Sequence, residues 1–381
     1  MGGTVRDLVM GGSPRDLDLL AACTPERLQQ AGFRPVAGKT TGNIWFRHLD
    51  GIGSIEISLL PQGLTVADEL SHRDFTCNAL ALNLDGDLTD PLGGREDIEQ
   101  RLLRPCSPAC LLDDPLRIFR AFRFACDGWR FDSVLEQLLT TTAWDTQLHH
   151  IPVERFSREL CKALGAAQPG LFFAQMAAFG LGRPWLPELF RMREVPAGPA
   201  EYHPEGDLFS HAQQVLQRAA SLTDDPLTRF CAFWHDIGKL TTDPAQYPRH
   251  HGHDEAGFEP AMQLCRRLHL PAAWGRALAW TARLHTRANN WDELRPGTRL
   301  RLADQACRAG VARILPMVSA ADIPCASAGM PGWETALAVC GLNSSELGVD
   351  GERLDALAPE QRSAYLFQAR VARLLQLMAV V

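Results

Sequence analysis

Gly2-Gly3-Thr4-Val5-Arg6-Asp7, followed shortly by Asp16-Leu17-Asp18, is the stretch that decides how this chain is read. A strand over Arg15 to Leu20 would point residues two apart to the same side. Asp16 and Asp18 would then project from one face as a claw for a divalent cation. Mg²⁺ suits such a claw, because it is a hard ion that takes oxygen ligands and usually keeps substrate phosphates in its shell. Gly2 and Gly3 stand where a helix would begin, with Arg6 one turn on, and a glycine turn there offers backbone N–H groups to phosphate. A lone Asp-x-Asp is more often a solvated turn or strand end, and Gly-Gly alone is equally weak. The two together, with a short helix between them, read as nucleotidyl transfer.

The whole string resembles the signature of the tRNA nucleotidyltransferase and poly(A) polymerase family of the polymerase-β superfamily, class II bacterial type, and the resemblance runs from Gly2 to about Asp322. It implies an α+β chain. A polymerase-β-like head over residues 1–104 leads to an all-α neck for base recognition over 105–199. An all-α HD phosphohydrolase domain over 200–325 and a helical tail over 326–381 follow. Members normally carry a strand before Gly-Gly. Met1 stands at its last position here, and two explanations fit: the head lacks its first strand, or the start is assigned at an internal valine codon, which is the favoured reading because a head without that strand would expose a sheet edge.

The bulk numbers narrow the field. A chain of 381 residues is long enough for two or three domains. No run of about 18 apolar residues exists, so no membrane helix is expected, and the N-terminus lacks a signal-peptide pattern. The eleven cysteines are scattered without a C-x-x-C pair, which fits a reducing cytoplasm rather than a disulfide framework. A net charge of −7 does not advertise nucleic-acid binding, so RNA contacts need local basic patches.

Residues 1 to about 104 alternate short strands and helices, with strands at Asn43–Arg47 and Ser54 to Leu60. Ile55, Ile57 and Leu59 alternate with Glu56 and Ser58. Glu56 is thus a candidate third carboxylate, and a solvent-facing strand glutamate is an equally good reading. From Pro115 onward amphipathic helices dominate: Leu116–Ala125, Val153–Leu164, Leu171–Phe179, His211–Ser221 and Leu227–Trp234. Pro196-Ala-Gly-Pro199 reads as a joint. A last helix over Ser363–Met378 suits packing or dimer formation, which leaves monomer and homodimer both open.

His72-Arg73-Asp74-x-x-x-Asn78-Ala79 resembles the family's second motif, with His72 in place of the usual arginine. On a helix Asp74 and Asn78 would face one way and read a ribose hydroxyl, while Arg73 reaches phosphate. Asp90-Pro91-x-x-Gly94-x-x-Asp97 resembles the third motif, a structural support. Asp113-Asp114-Pro115-Leu116-Arg117 resembles the motif that replaces a nucleic-acid template. Arg117 donates and Asp114 accepts, so the pair could complement cytosine and, slightly rearranged, adenine. Uracil and guanine would leave buried donors unpaired, at about 1–3 kcal/mol each. Arg120 and Arg123 follow at helical spacing and resemble triphosphate-binding arginines. The resemblance also assigns Gly3, Arg6, Arg73, Asp74 and Asn78 to the nucleotide. Ile151-Pro-Val-Glu154-Arg155 resembles the fifth motif, a brace.

Family members that complete the CCA end carry a longer, flexible insertion between Glu56 and Arg73. Here it is collapsed to about Pro61-Gln62-Gly63, which resembles the CC-adding branch. A mobile lever would reshape the base pocket for adenine; without it the pocket stays set for cytosine.

His211, His235-Asp236, His250-His251-Gly252-His253, His285 and Asp322 make a second constellation, and Trp234-His235-Asp236-Ile237-Gly238-Lys239 resembles the HD phosphohydrolase core. The resemblance assigns His211, His235, Asp236, His251, His285 and Asp322 to a metal. Imidazole with carboxylate suits Mn²⁺, Ni²⁺, Co²⁺ or Mg²⁺ rather than structural Zn²⁺. The expected activity is template-independent addition of CC, or full CCA, to the 3′ end of tRNA from CTP and ATP, with Mg²⁺ at Asp16 and Asp18. A secondary phosphodiesterase or phosphatase activity is expected of the HD domain. The rivals are a poly(A) polymerase, an HD phosphohydrolase with an inactive head, and a non-catalytic RNA scaffold.

Overall fold

Alternation along the first strands builds the sheet. In the computed structural model, which describes residues 1–14, 16–36, 44–323 and 330–378, α1 (Gly3–Val9) leads into β1 (Asp16–Ala21), and α2 (Pro25–Gln30) follows. β2 (Arg34–Pro35), β3 (Ile44–Leu49) and β4 (Gly53–Leu59) complete a four-stranded sheet of order β1-β4-β3-β2. β1 runs parallel to β4, and β3 antiparallel to it. Ile55, Ile57 and Trp45 bury one face against Leu28, with Leu17 and Ala21 packed alongside. Successive side chains of a strand point to opposite faces, so Asp16, Asp18 and Glu56 share the other face. Arg15 and Asn43, which the strand expectations included, lie outside the described residues.

The link from β4 to α3 (Val66–Ser71) runs only from Leu60 to Thr65, and Thr65 closes a capping box with Asp68. A 3₁₀ turn over Thr76–Asn78 follows, then the short pair β5 (Ala81–Leu82) and β6 (Leu88–Thr89) and the helix α4 (Gly94–Gln100). Asp90 caps α4, accepting from the N–H of Gly94 at 2.7 Å and of Arg95 at 3.0 Å. A Cβ on Gly94 would collide with the Thr76 carbonyl. Asp97 accepts from Arg104 at 2.8 Å and from the Thr76 hydroxyl. The Asp-Pro-x-x-Gly-x-x-Asp motif therefore fixes the turn that carries Asn78.

β7 (Leu102–Leu103), α5 (Cys110–Asp113), α6 (Leu116–Ala125), β8 (Arg130–Phe131), α7 (Ser133–Thr141) and α8 (Asp145–Leu148) complete a first compact unit, Met1–Ile151. The helix bearing Arg117, Arg120 and Arg123 thus packs with the head.

The second unit, Pro152–Val381, is helical. α9 (Val153–Leu164), α10 (Gly170–Phe179) and α11 (Pro187–Arg191) come first. α12 (Leu208–Leu222), α13 (Pro226–Trp234), α14 (His253–Ala256), α15 (Phe258–Arg267), α16 (Ala272–Asn289), α17 (Pro296–Ala309) and α18 (Ile314–Asp322) follow. α12, α13, α16 and α18 pack on one another. The buried Arg229 guanidinium ties the ends of α9 and α12 together, donating to Leu164 O at 2.8 Å and Ala220 O at 3.0 Å. α19 (Trp333–Gly341), α20 (Gly351–Asp355) and α21 (Pro359–Met378) close the unit. α21 starts a turn before the expected Ser363, because Pro359 is pre-set for a first helical turn. No helix among the described residues is long and apolar enough to cross a membrane.

Candidate active sites

The β1–β4 register sets Asp18 directly beside Glu56, and Asp16 lies two residues back on the same strand face. Parallel pairing thereby turns two carboxylates into three. Gly2 begins α1 at φ 64° and ψ −134°, a conformation that suits glycine, and its N–H donates to Leu80 O at 2.9 Å. A Cβ there would meet Arg73 Nη1 at 3.6 Å and Asp18 Oδ2 at 3.9 Å; on Gly3 it would meet Arg6 Nη2 at 3.6 Å and the same Oδ2 at 3.9 Å. Glycine turn, claw and two arginines therefore lie side by side. Thr4, which sequence reasoning passed over, clasps α1 to β1: its hydroxyl accepts from Asp18 N–H at 2.8 Å and donates to Asp16 O at 3.1 Å. Burial raises the pKa of Asp18, and Glu56 and Asp16 add to the rise against the opposing charge of Arg73. A half-buried carboxylate among like charges is a donor set that a divalent cation would relieve.

Asp74 and Asn78 do not share a regular helix. Phe75 is extended at φ −126°, and only Thr76–Asn78 coils, as a 3₁₀ turn, because Phe75 bridges to Pro105. The Asp74 carboxylate, expected at the ribose, is buried and held by protein. Oδ1 accepts from Asn78 Nδ2 and Phe75 N–H, both at 2.9 Å, and Oδ2 accepts from Arg120 Nε at 2.8 Å and Nη2 at 2.7 Å. Burial would raise its pKa, but Arg120 and the hydrogen bonds outweigh that and hold it at about 2. Asn78 Oδ1 accepts from Arg6 Nη1 at 2.7 Å. Arg6, Asn78, Asp74 and Arg120 thus form one chain from the glycine turn to α6.

Arg117 braces the preceding loop, donating to His72 O at 3.0 Å, Arg73 O at 3.2 Å and Cys110 O at 3.1 Å. Asp114 Oδ1 accepts from Leu116 N–H at 3.3 Å at the start of α6. Arg123 and Arg6 both lie against the Phe124 ring, at 4.6 Å and 5.0 Å from its centroid. In the second unit Glu154 pairs with His269 at 2.8 Å.

The second cluster surrounds Asp236 at the end of α13. His211 from α12 places Nε2 3.1 Å from Asp322 Oδ1, at the end of α18. His235 Nε2 is 3.3 Å from Asp236 Oδ2, and His285 Nε2 from α16 is 3.2 Å from Asp236 Oδ1. His251 does not join them. It is exposed, and His253 takes the place, with Nε2 3.3 Å from Asp236 Oδ1. Gly252, at φ 78°, turns the chain so that α14 begins at His253 and presents it inward. His250 faces away, its ring nitrogens 3.0 Å from Thr242 Oγ1 and 2.8 Å from Pro196 O.

The outer nitrogens are all engaged. Nδ1 contacts Glu205 Oε1 at 2.7 Å in His211, Ala232 O at 2.8 Å in His235, His250 O at 2.7 Å in His253 and Ala282 O at 2.7 Å in His285. Carbonyl and carboxylate partners make Nδ1 the donor and leave Nε2 facing inward, the arrangement of metal-binding imidazoles. His211 Nε2, His235 Nε2 and Asp236 Oδ1 are buried without a hydrogen-bond partner. Orphaned donors of this kind fit a divalent metal. Asn289 donates to Asp322 Oδ2 at 2.6 Å, and Lys239 Nζ to Asp236 Oδ2 and Ala197 O, each at 2.7 Å. Sequence reasoning missed Glu205 and Asn289, and it included His253 in the constellation but assigned the metal to His251. The adjacency of His203-Pro204-Glu205 to α12 and the glycine before His253 were the available signals.

A carboxylate-bearing sheet followed by a helical His/Asp centre defines a nucleotidyltransferase head joined to an HD domain. Family models agree: the poly A polymerase head domain matches residues 46–104, the probable RNA and SrmB-binding site of polymerase A residues 136–192, and the HD domain residues 208–314. The chain is 36% identical to the Multifunctional CCA protein of Nitrosococcus oceani over 321 residues, 80% of this chain and 78% of that one. It is 35% identical to that of Laribacter hongkongensis over 320 residues, 79% and 78% of the two chains. The chain belongs to the class II tRNA nucleotidyltransferases, the HD-containing CCA-adding enzyme family. Its fold is shared with the solved Bacillus stearothermophilus CCA-adding enzyme in complex with CTP, at TM-score 0.66, 22% identity and 97% and 87% coverage. It is shared too with the Thermotoga maritima CCA-adding enzyme complexed with tRNA, at TM-score 0.63, 19% identity and 98% and 86% coverage.

Proposed function

We propose that the head adds cytidylyl residues from CTP to the 3′ end of tRNA, stopping at CC, and that the second unit hydrolyses phosphoesters. The observation that carries the first reading is the set Asp16, Asp18 and Glu56 on one sheet face beside the glycine turn. The tRNA 3′-hydroxyl forms a bond to the α-phosphorus of CTP while the bond to the β-phosphate oxygen breaks and pyrophosphate leaves. Mg²⁺ bound at the claw supplies charge balance for the leaving group and a lowered pKa for the nucleophile. Asp16 and Asp18 hold that charge; Arg6 and Arg73, beside the glycine turn, meet the phosphates. Arg120 and Arg123 extend the cationic wall along α6. Asp114 and Arg117 select the base in this reading, with Arg117 turning from its backbone partners to the cytosine edge.

The tight Leu60–Thr65 link supports the CC-only reading, since it leaves no room for a lever between β4 and α3. Full CCA addition with ATP is the second reading, favoured by the name of the relatives, Multifunctional CCA protein. A tRNA lacking its 3′ end, incubated with CTP and ATP, separates them. Product ending in CC supports the first, a terminal A rejects it, and no incorporation rejects the transferase reading itself. The rival with an inactive head predicts hydrolysis but no incorporation.

For the second unit, Ni²⁺, Mn²⁺, Co²⁺ or Mg²⁺ fits the His/Asp donors, and 2′,3′-cyclic phosphodiesters and 2′-phosphates at RNA ends are the proposed substrates. His235→Ala and Asp236→Ala should abolish hydrolysis; unchanged turnover rejects the assignment. The protein works in the cytoplasm on this reading, as a monomer or homodimer.

A further inference from the structure

Phe124 in α6 has no ionisable or hydrogen-bonding group in its side chain, yet its ring touches two arginines that face the triphosphate in the proposed reaction. Cζ of Arg123 lies 4.6 Å and Cζ of Arg6 5.0 Å from the ring centroid. Two further rings cross it steeply, Phe75 at 6.0 Å and 84° and Trp129 at 5.7 Å and 71°, and only 3% of Phe124 is exposed. A ring so enclosed stays in place, and the two cations take their positions from it.

Arg6 shows what the ring adds. A guanidinium is a planar fork with five N–H donors. Nε and Nη2 of Arg6 both donate to Asp7 Oδ1, at 2.9 Å and 2.7 Å, and Nη1 donates to Asn78 Oδ1 at 2.7 Å. Two N–H groups are left, one on Nη1 and one on Nη2. That edge lies at Gly3, where a Cβ would meet Nη2 at 3.6 Å, Nη1 at 4.0 Å and Asp18 Oδ2 at 3.9 Å. The remaining donors are therefore beside the claw. The Asp7 side chain is 43% exposed, so water competes for that pair, whereas the ring contact is dry. A cation resting on a π face keeps its in-plane donors, so ring and phosphate use different parts of one guanidinium and do not compete.

We propose that Phe124 is a positioning residue for the triphosphate: one buried ring sets the facing and the separation of Arg6 from α1 and Arg123 from α6, so that both meet the phosphates without reorganising. The inference rests on the reading of the head as a nucleotidyltransferase and deepens it.

The test alters the electrostatics of the ring and leaves its shape. In the full chain Phe124 is replaced by phenylalanine carrying a rising number of ring fluorines, which drain charge from the π face stepwise. KM for CTP in tRNA extension should climb with each fluorine, to at least about 5-fold with the trifluorinated ring. kcat, KM for tRNA and melting temperature should hold steady. Inorganic tripolyphosphate, titrated calorimetrically in the absence of tRNA, should weaken in the same order. Phe124→Leu, which keeps apolar bulk without a π face, should weaken it at least as much. Constant KM for CTP and constant tripolyphosphate affinity across the series overturn the proposal, and so does a change that tracks melting temperature instead of fluorine number. Tripolyphosphate binding that weakens with fluorination in a chain that incorporates no nucleotide would sink the transferase reading and leave the role of Phe124 standing. Absence of tripolyphosphate binding in the unsubstituted chain overturns both.

Discussion

Replacing Asp74 by asparagine tests the chain of contacts that joins the glycine turn to α6. Asparagine keeps one carbonyl oxygen, which can still accept from Asn78 and the Phe75 N–H. Its amide nitrogen then faces Arg120 Nε and Nη2, donor against donor. The magnitude follows from the titration of the wild-type group. Its pKa falls from 3.8 to about 2 in the folded state, and a unit is worth 1.36 kcal/mol, so the ionised form contributes about 2 kcal/mol. The folded pKa is depressed, so this stability is fully present above pH ~4 and is lost as pH falls through about 2. Thermal unfolding of Asp74→Asn at pH 7 should show a loss of about 2 kcal/mol, which is about 4–8 °C for a unit of this size. The gap between variant and wild type should close as pH is lowered from about 4 to 2. Equal melting temperatures at pH 7, or a gap constant over that range, would refute the clamp. KM for CTP should rise by more than the loss of stability explains, since Arg120 and Asn78 both lose their anchor.

Asp18→Asn should abolish nucleotide incorporation and leave phosphoester hydrolysis intact, and Glu56→Gln should lower incorporation at least about 10-fold at fixed Mg²⁺; end-labelled tRNA on a gel reads both. Gly238→Ala would drive a methyl group into the His253 carbonyl, so calorimetry should show the second unit destabilised by about 1–3 kcal/mol or more. His251→Ala should leave Mn²⁺ uptake unchanged, because that ring is exposed, while His253→Ala should weaken it at least about 10-fold by equilibrium dialysis.

Much of this was legible in the sequence because it is local. Alternation placed Ile55 and Ile57 in the core and Glu56 on the opposite face, and the proline-led, amphipathic runs at Leu116–Ala125 and Val153–Leu164 coincide with α6 and α9. What pairing adds is not local. Nothing in the run Ser54 to Leu60 says that it lies parallel to β1 with Glu56 level with Asp18. Asp74 looked free to meet a ribose because its partner Arg120 is distant in sequence and reaches it only once α6 packs on the head. Among the histidines of Arg249-His250-His251-Gly252-His253, spacing alone could not choose. The left-handed backbone at Gly252 chose His253, and such a turn is suggested by glycine but not dictated by it.

The Thr4 side chain ties α1 to β1. One hydroxyl is spent twice, as acceptor for the Asp18 amide and as donor to the Asp16 carbonyl. The loop that would cup a triphosphate and the strand that bears the acids are thereby riveted at a single oxygen, before any substrate arrives. Serine could keep the rivet, whereas valine, equal in shape, would leave an amide and a carbonyl facing a methyl group. Fidelity of alignment in this enzyme is thus settled during folding, by an atom that never meets the nucleotide.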